Sequence, residues 1–210
     1  MIEIGVVYNE VAGENTYFIY NEAHVLIIDP GSETEQILEA IKTLGRKPVA
    51  ILLTHTHYDH IMSVEAIRGA YPSIPVYVSP REEKWLGNPE LNLSGLPRHD
   101  EIEDVIVAPA EFTFENYKEY TLGEMTFKVL PTPGHSIGGV SFLFDDFVIT
   151  GDALFKGSIG RTDLNTGDME MLLNSIQTEL FTLPNHLAAF PGHGAPTTIE
   201  HEKEYNPFFR

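Results

Sequence analysis

The sequence predicts an α+β protein built from two packed β-sheets with helices on their outer faces. The chain has 210 residues, which is enough for one domain with a sizeable core. Strand-like runs outnumber helix-like runs, and both kinds occur in each half of the chain. We therefore expect a single domain that spans residues 1–210.

The first half opens with strand-like runs and continues with an amphipathic helix. Ser32 and Glu35 have the spacing of a capping box, and apolar residues then recur with helical period as far as Gly45. This pattern predicts a helix that lies on the sheet. The strands before it are predicted at 2–7, 16–20 and 24–29.

A second strand and helix surround the most polar motif of the chain. The apolar run VAILL at 49–53 predicts a buried strand, and Ile61, Val64 and Ile67 mark one face of a following helix. THTHYDH at 54–60 lies between them, so the sequence predicts a strand-to-helix loop there. Open α/β sheets bind their ligands in such loops. The position of the motif therefore indicates a function.

The next elements are a short strand and an irregular segment. VYVS predicts a strand at 76–79, whereas residues 80–115 show no clean period and predict an irregular insertion. Met125, Phe127 and Val129 then alternate with polar residues, which predicts a half-buried strand that leads into PTPGHSIGG.

The last third of the sequence predicts a hairpin, a helix and a final strand. The hairpin has its turn at 145–146. A helix is predicted around 168–178, with apolar residues on one face: Met169, Leu172, Leu173 and Ile176. LAAF at 187–190 predicts a strand that leads into PGHG, and a short helix closes the chain.

Composition excludes several classes of protein. There are 31 acidic and 13 basic residues, and a net charge of -18 disfavours nucleic acid and anionic membranes as partners. The first residues lack the basic and apolar regions of a secretory signal, and no apolar run approaches the roughly 20 residues of a membrane span. We therefore expect a cytoplasmic protein that acts on a small molecule. The sequence leaves the oligomeric state open.

Seven metal-capable residues share one place in the predicted topology, where a strand ends and a loop begins. His55 and His57 are two residues apart and point to one side in an extended chain, whereas Asp59 and His60 can turn toward a second point. One loop can therefore serve two ions. The seven candidates are His55, His57, Asp59, His60, His135, Asp152 and His193.

The donors in this set indicate the metal and its chemistry. The sequence has no cysteine, so imidazole and carboxylate must hold the ions, which suits zinc, iron or manganese. Two ions about 3.5 to 4 Å apart can hold a hydroxide between them and lower the pKa of bound water toward roughly 7. A carboxylate such as Asp152 can bridge the pair. We expect two divalent transition-metal ions, zinc first, and a hydrolase that needs no serine or cysteine nucleophile.

The remaining histidines stand alone in the sequence. A lone histidine is more often a surface or hydrogen-bonded group than a ligand, so we leave these four out of the site. They are His24, His99, His186 and His201.

Four motifs together resemble the metallo-β-lactamase superfamily over nearly the whole chain: THTHYDH, TPGHSIGG, TGDALF and FPGHG, in this order. The resemblance implies an αββα sandwich of two mixed β-sheets flanked by helices, with the site at one edge of the sheets. It also implies which ligands share an ion. His55, His57 and His135 would hold the first ion, Asp59, His60 and His193 the second, and Asp152 would bridge them.

Two aspartates have further roles under this resemblance. Asp59 would hold the second ion and accept a hydrogen bond from the attacking hydroxide, which makes it the catalytic residue. Asp29 in IIDPG matches a position that supports the metal ligands from behind. The alternative for Asp29 is a turn-forming aspartate before Pro30 and Gly31.

Within the superfamily, LFKGSIGRTDL at 154–164 and the closing EKEYNPFF are most similar to glyoxalase II-like hydrolases. These enzymes act on S-acyl-glutathione thioesters such as lactoylglutathione. Lys156 and Arg161 are the candidate substrate-binding residues, since Arg161 matches an arginine that contacts the thiol carrier in related enzymes. The alternative is that Arg161 only pairs with Asp163.

Other functions on the same fold stay open. An iron-dependent persulfide dioxygenase shares the GRTD stretch, and lactone or small phosphodiester hydrolysis uses the same ligand set. A β-lactamase is disfavoured because the sequence lacks an export signal and a cysteine ligand. A non-catalytic metal-binding or interaction module on this fold is disfavoured, because degenerate members usually lack some metal ligands and all seven are present here.

Overall fold

The computed structural model describes residues 1–96 and 102–210, which form two compact units. The N-terminal unit consists of Met1–Phe114 and Thr121–Met125. The C-terminal unit consists of Glu115–Tyr120 and Thr126–Arg210.

A mixed sheet of six strands forms the first half of the fold, with the strands side by side in chain order. The first three strands pair antiparallel, and the third to sixth pair parallel. The five strands expected from the sequence in this half are confirmed, and the sixth strand of the sheet, which was not expected, lies within the stretch predicted to be irregular. They are β1 (Glu3–Tyr8), β2 (Asn15–Tyr20), β3 (His24–Ile28), β4 (Lys47–Leu52), β5 (Val76–Val78) and β6 (Phe112–Thr113).

Two helices cover one face of this sheet. Helix α1 (Thr34–Leu44) ends at Gly45, whose φ of 61° is a left-handed conformation that glycine adopts without steric cost. Helix α2 (Val64–Ala70) follows a 3₁₀ turn at Tyr58–His60. Their apolar residues share one core with side chains of β3, β4 and β5, and burial of each large side chain stabilises the fold by roughly 1.5–3 kcal/mol.

The predicted capping box is wrong. The residue before α1 is Glu33, and no side chain caps the helix. The hydroxyl of Ser32 instead accepts a hydrogen bond from the backbone N–H of Val11 at 3.3 Å. A tertiary contact has therefore taken the group that a local cap would use.

The strands that follow β6 are β7 (Glu119–Leu122), β8 (Met125–Pro131), β9 (Val140–Leu143), β10 (Phe147–Gly151), β11 (Leu154–Phe155), β12 (Ser158–Ile159), β13 (Ala188–Pro191) and β14 (Thr197–Thr198). Six of them form the second mixed sheet, in the order β14-β13-β10-β9-β8-β7. Strands β8, β10 and β13 all run in one direction, because β9 is antiparallel to both β8 and β10, and β13 is parallel to β10. Strands β11 and β12 form a small hairpin that follows β10.

Two helices belong to the C-terminal unit. Helix α3 (Met169–Ser175) continues as a π-helical segment at Ile176–Leu180, and α4 (Ile199–Tyr205) precedes a 3₁₀ turn. The apolar residues expected on one face of α3 differ in burial, because the side chain of Met169 is 44% exposed, whereas Leu172 is fully buried. Met169 is the first helical residue, so the apolar stripe begins one turn later.

None of the described helices combines enough length with enough apolar character to cross a membrane.

Candidate metal centre

The loop after β4 packs four of the predicted ligands closely together. His55, His57, Asp59 and His60 are all buried, although each is polar. The rings of His55 and His57 have centroids 4.7 Å apart, and those of His55 and His60 lie 4.1 Å apart. Buried imidazoles at these distances need polar partners or a shared ligand.

Asp29 supplies such a partner from the end of the neighbouring strand. Since β3 and β4 are parallel, Asp29 and the histidine loop lie beyond the same edge of the sheet. Its carboxylate accepts hydrogen bonds from the backbone N–H of Thr54 at 2.7 Å and from the Thr54 hydroxyl at 2.5 Å. One of its oxygens also lies 3.0 Å from Nδ1 of His60. With its proton on Nδ1, His60 presents Nε2 to a metal.

Asp29 adopts an uncommon backbone conformation to reach these groups. Its φ is 50°, in the left-handed region that aspartate tolerates better than most residues. Asp29, His55 and His60 each place one donor atom within 4.8 Å of the others. The aspartate before Pro30 is therefore in contact with the ligand loop, in addition to any role in the turn.

Glu14 is a second buried carboxylate that the sequence did not single out. Its side chain is fully buried, and one oxygen lies 3.8 Å from Nδ1 of His60. The other oxygen accepts hydrogen bonds from Asn9 Nδ2 at 2.6 Å and from the Thr16 hydroxyl at 3.2 Å. The sequence offered one indication of this role, because Glu14 directly precedes an apolar strand, where a buried charge without a partner is costly.

The C-terminal unit gathers the other three predicted ligands. His135, Asp152 and His193 follow β8, β10 and β13, and these three strands end at the same edge of their sheet. One carboxylate oxygen of Asp152 lies 3.4 Å from Nε2 of His135 and 3.2 Å from Nε2 of His193. Two imidazole nitrogens thus converge on a single carboxylate oxygen.

His135 is oriented by a backbone carbonyl. Its Nδ1 lies 2.8 Å from the carbonyl oxygen of Arg161, so with the proton on Nδ1 the nitrogen available to a metal is Nε2, the one near Asp152. The chain can pass this close because residue 160 is glycine. A Cβ at Gly160 would lie 1.9 Å from the carbonyl oxygen of Asp152. This role of the Arg161 main chain has no signature in the sequence.

The two candidate substrate-binding residues are both exposed. Lys156 lies at the turn between β11 and β12. The guanidinium of Arg161 donates two hydrogen bonds to Asp163, both of 2.7 Å, through Nε and one terminal nitrogen. These bonds raise the pKa of Arg161 above its already high ordinary value. The alternative role for Arg161, an ion pair with Asp163, therefore exists in the structure, and it uses one edge of the guanidinium group.

Three of the four remaining histidines are described, and they lie outside these clusters. His24 and His201 each have a ring nitrogen 3.9 Å from a glutamate, and His186 is exposed. His99 lies outside the described residues.

The donor set fits divalent metal ions. The seven candidates offer imidazole nitrogens and carboxylate oxygens, and the sequence contains no thiolate donor. At both His60 and His135, a protein oxygen at Nδ1 leaves Nε2 for a metal, which is how proteins orient metal-binding histidines. These residues are therefore suited to zinc, iron or manganese.

Comparison with known families agrees with this donor chemistry. The sequence model of the metallo-beta-lactamase superfamily matches residues 10–193. A probable metallo-hydrolase of Streptococcus pyogenes serotype M6 is 56% identical over 203 residues, covering 96% of this chain and 88% of the relative. The hydroxyacylglutathione hydrolase GloC of Haemophilus influenzae is 34% identical over 193 residues, covering 90% of this chain and 88% of the relative.

Solved structures with the same fold include a metallo-beta-lactamase and a di-iron-bound protein. The BLEG-1 B3 metallo-beta-lactamase matches with a TM-score of 0.93 and 40% identity over 99% of both chains. TTHA1623, solved in a di-iron-bound form, matches with a TM-score of 0.84 and 34% identity over 97% of this chain and 99% of that one. ETHE1 from Myxococcus xanthus matches with a TM-score of 0.79 and 28% identity, over 98% of this chain and 83% of that one.

Proposed function

Because this chain belongs to the metallo-β-lactamase superfamily and is a metal-dependent hydrolase, we propose that it cleaves thioesters of the S-acyl-glutathione type, such as lactoylglutathione. The observation that carries the proposal is the 34% identity to the hydroxyacylglutathione hydrolase GloC over 90% of this chain. The glyoxalase II-like stretch at 154–164 supports it independently.

The proposed centre holds two divalent ions. In this proposal His55, His57 and His135 would hold the first ion, and Asp59, His60 and His193 would hold the second. Asp152 would bridge the two, which is consistent with one of its oxygens lying near Nε2 of both His135 and His193. We propose zinc as the metal. Iron fits the same donors, and the di-iron form of TTHA1623 makes it the first alternative.

The bound ions would supply an activated water near neutral pH and polarise the thioester carbonyl. The protein's own part is to orient that water and manage its proton. We propose that the Asp59 carboxylate accepts a hydrogen bond from the attacking hydroxide, as the new C–O bond forms at the acyl carbon. The C–S bond then breaks, and the departing thiolate takes the proton that the hydroxide carried, so the products are a carboxylate and a free thiol. The next water supplies a new hydroxide and releases its other proton to solvent.

The thiol carrier brings negative charge to an acidic protein. With a net charge of -18, the chain needs a local cation to bind the carboxylates of a glutathione-like group. Arg161 and Lys156 lie on the segment that follows Asp152 and are both exposed to solvent. We propose that Arg161 binds a carboxylate of the thiol carrier and that Lys156 contributes charge nearby.

Turnover of a substrate panel tests the proposal. The panel contains lactoylglutathione, a small uncharged thioester, a lactone, a β-lactam, a phosphodiester and glutathione persulfide, with metal content measured on the same preparation. We expect the highest kcat/KM for lactoylglutathione and about two metal ions per chain. In the variant Asp59→Asn, kcat should fall by about a hundredfold at unchanged KM, because the change removes a proposed ligand of the second ion and the hydrogen-bond acceptor for the attacking hydroxide. A higher kcat/KM on any other class would replace the thioester proposal.

A second candidate function is β-lactam hydrolysis. It is favoured by the 40% identity to BLEG-1 over 99% of both chains. The substrate panel distinguishes this function from thioester hydrolysis, because a β-lactamase would turn over the β-lactam faster than every thioester.

Persulfide oxidation is the third candidate, supported by the GRTD stretch at 160–163. It would consume oxygen and would need iron, so oxygen uptake and elemental analysis distinguish it.

A further inference from the structure

The two threonines of the THTH motif are held in the same way by two different carboxylates. Thr54 donates its backbone N–H and its hydroxyl to Asp29. Thr56 donates the same two groups to one oxygen of Glu82, at 2.8 Å and 3.1 Å. Asp29 belongs to the expected set of site residues, whereas nothing in the sequence singled out Glu82.

Glu82 makes this contact from a buried position, which carries a desolvation cost for its carboxylate. Its side chain is fully buried, and a buried carboxylate is unfavourable unless hydrogen bonds compensate for lost water. The residue directly precedes the 3₁₀ turn Glu83–Trp85, and its own N–H donates to the carbonyl of Ser79 at 3.0 Å. Neighbouring Arg81 and Glu83 are exposed, so the chain turns one acidic side chain inward and leaves the adjacent ones in solvent.

The segment after Glu82 contacts the ligand loop at two more places. The buried ring of Trp85 stacks on His57, with centroids 6.2 Å apart and an interplanar angle of 23°. The carbonyl of Asn92 accepts a hydrogen bond from the N–H of Tyr58 at 2.8 Å. Thr56, His57 and Tyr58 are consecutive, so the segment from Glu82 to Asn92 contacts three successive residues of the ligand loop.

We infer that Glu82 is a positioning residue for the metal centre. Successive side chains of an extended chain point to opposite sides, so fixing Thr56 toward Glu82 directs His55 and His57 to the other side together. Thr56 lies between the two ligands, and its two hydrogen bonds to Glu82 fix both its backbone and its side chain. Glu82 thereby sets the shared orientation of the two imidazoles, and through it metal affinity and turnover. The effect on turnover rests on the proposed function, whereas the effect on metal affinity does not.

Three variants test this role. Glu82→Ala removes both acceptor bonds, and we expect about tenfold weaker zinc binding in chelator competition, the lower end of the range for partners of metal ligands. Glu82→Gln keeps a carbonyl oxygen that can accept both bonds, so it should restore most of the affinity. Thr56→Val keeps the N–H and loses the hydroxyl, so it should weaken zinc binding by a few-fold and remains informative if Glu82→Ala does not fold.

Glu111→Ala is the matched control. Glu111 also accepts a backbone N–H, from Val76 at 2.7 Å, and it binds Arg68, and neither of these partners is adjacent in sequence to a proposed ligand. This variant should lose stability without losing zinc affinity. If Glu82→Ala binds zinc as tightly as wild type, or no more weakly than the control, the positioning role is overturned.

The same measurements separate this inference from the proposed function. Should the wild-type protein bind zinc but hydrolyse no thioester, the substrate proposal fails, and the zinc affinities still decide the role of Glu82. Where thioester turnover is present, Glu82→Ala should lower kcat by about tenfold with little change in KM. If Glu82→Ala raised KM and left kcat unchanged, the positioning role would be contradicted, since Glu82 would then act on the substrate instead of the metal ligands.

Discussion

At the scale of single residues, the centre depends on what holds each donor as much as on the donors themselves. His60 is oriented by the Asp29 carboxylate and His135 by the Arg161 carbonyl. Both contacts occupy Nδ1, so both rings offer Nε2. Orientation through Nδ1 selects the tautomer and raises the basicity of the ligating nitrogen.

Arg161 illustrates how one residue can serve two purposes. Its carbonyl orients His135, and its guanidinium pairs with Asp163 through two of its nitrogens. The main-chain role survives any side-chain substitution. A change at Arg161 therefore tests substrate binding with little disturbance of the ligand.

We predict that Arg161→Ala raises KM for an S-acyl-glutathione by about tenfold, or roughly 1.4 kcal/mol of lost binding. The reason is loss of the cation that offsets the substrate carboxylates. KM for a small uncharged thioester should not change. Steady-state kinetics of both substrates with both proteins provides the measurement.

Asp163→Asn is the control for this prediction. It removes the charge of the partner and keeps Arg161, so KM for the charged substrate should stay the same or fall. If both variants lose activity equally, and on both substrates, Arg161 supports the loop through its pair with Asp163 and does not bind the substrate.

At the scale of elements, strand direction brings the ligands of each unit to one edge. The parallel pair β3 and β4 ends at Asp29 and the histidine loop, and β8, β10 and β13 end at the other three ligands. The β11–β12 hairpin then crosses back to His135. It is held by Glu202 of α4, a fully buried carboxylate that accepts the N–H of Gly157 at 2.9 Å.

We predict that Gly160→Ala lowers stability by about 1–3 kcal/mol, the usual cost of inserting an atom into packed structure. The new Cβ would lie 1.9 Å from the Asp152 carbonyl and 3.1 Å from the Cβ of His135, so the hairpin must move away from both. Metal content per chain should fall as well. Thermal unfolding and elemental analysis measure the two effects.

Gly69→Ala is the matched control, because a Cβ at this position in α2 meets no atom within 4 Å. Alanine favours a helix interior over glycine, so this variant should be neutral or more stable by up to about 1 kcal/mol. Unchanged metal content in Gly160→Ala would mean that the hairpin can shift without disturbing His135.

At the scale of the whole molecule, the fold class and the family expected from four short motifs are confirmed. The superfamily match spans residues 10–193, and BLEG-1 matches with a TM-score of 0.93. The expectation of a single domain stays a prediction. Acidic residues exceed basic ones by 18, and several carboxylates are buried beside the ligands, so a bound cation should stabilise the native state.

We predict that removal of the metal by a chelator lowers Tm by about 10 °C, since a ligand at a thousand times its Kd stabilises the native state by about 4 kcal/mol. Neutralisation of the buried carboxylates by the cations is the physical reason. Calorimetry before and after treatment measures the shift, and addition of zinc should restore it. An unchanged Tm at confirmed metal loss would mean that the folded protein does not depend on its ions.

The sequence by itself determined most of the longer strands, the main helices and the family. Apolar alternation and helical spacing report local burial, and each histidine or aspartate motif is contiguous, so both can be read without a structure. The capping box was wrong because of a tertiary contact, since the Ser32 hydroxyl accepts a hydrogen bond from the N–H of Val11. Strand β6 was missed because two residues are too few to show a period.

Only the tertiary structure decided which groups hold the donors in place. Glu82 lies 26 residues from Thr56, and the Arg161 carbonyl lies 26 residues from His135. Such pairs are brought together by parallel strands and returning hairpins, and neither a backbone carbonyl nor a single buried glutamate leaves a periodic or contiguous pattern. The sequence therefore names the metal-binding side chains, whereas their orientation is a property of packing between segments that are distant in the chain.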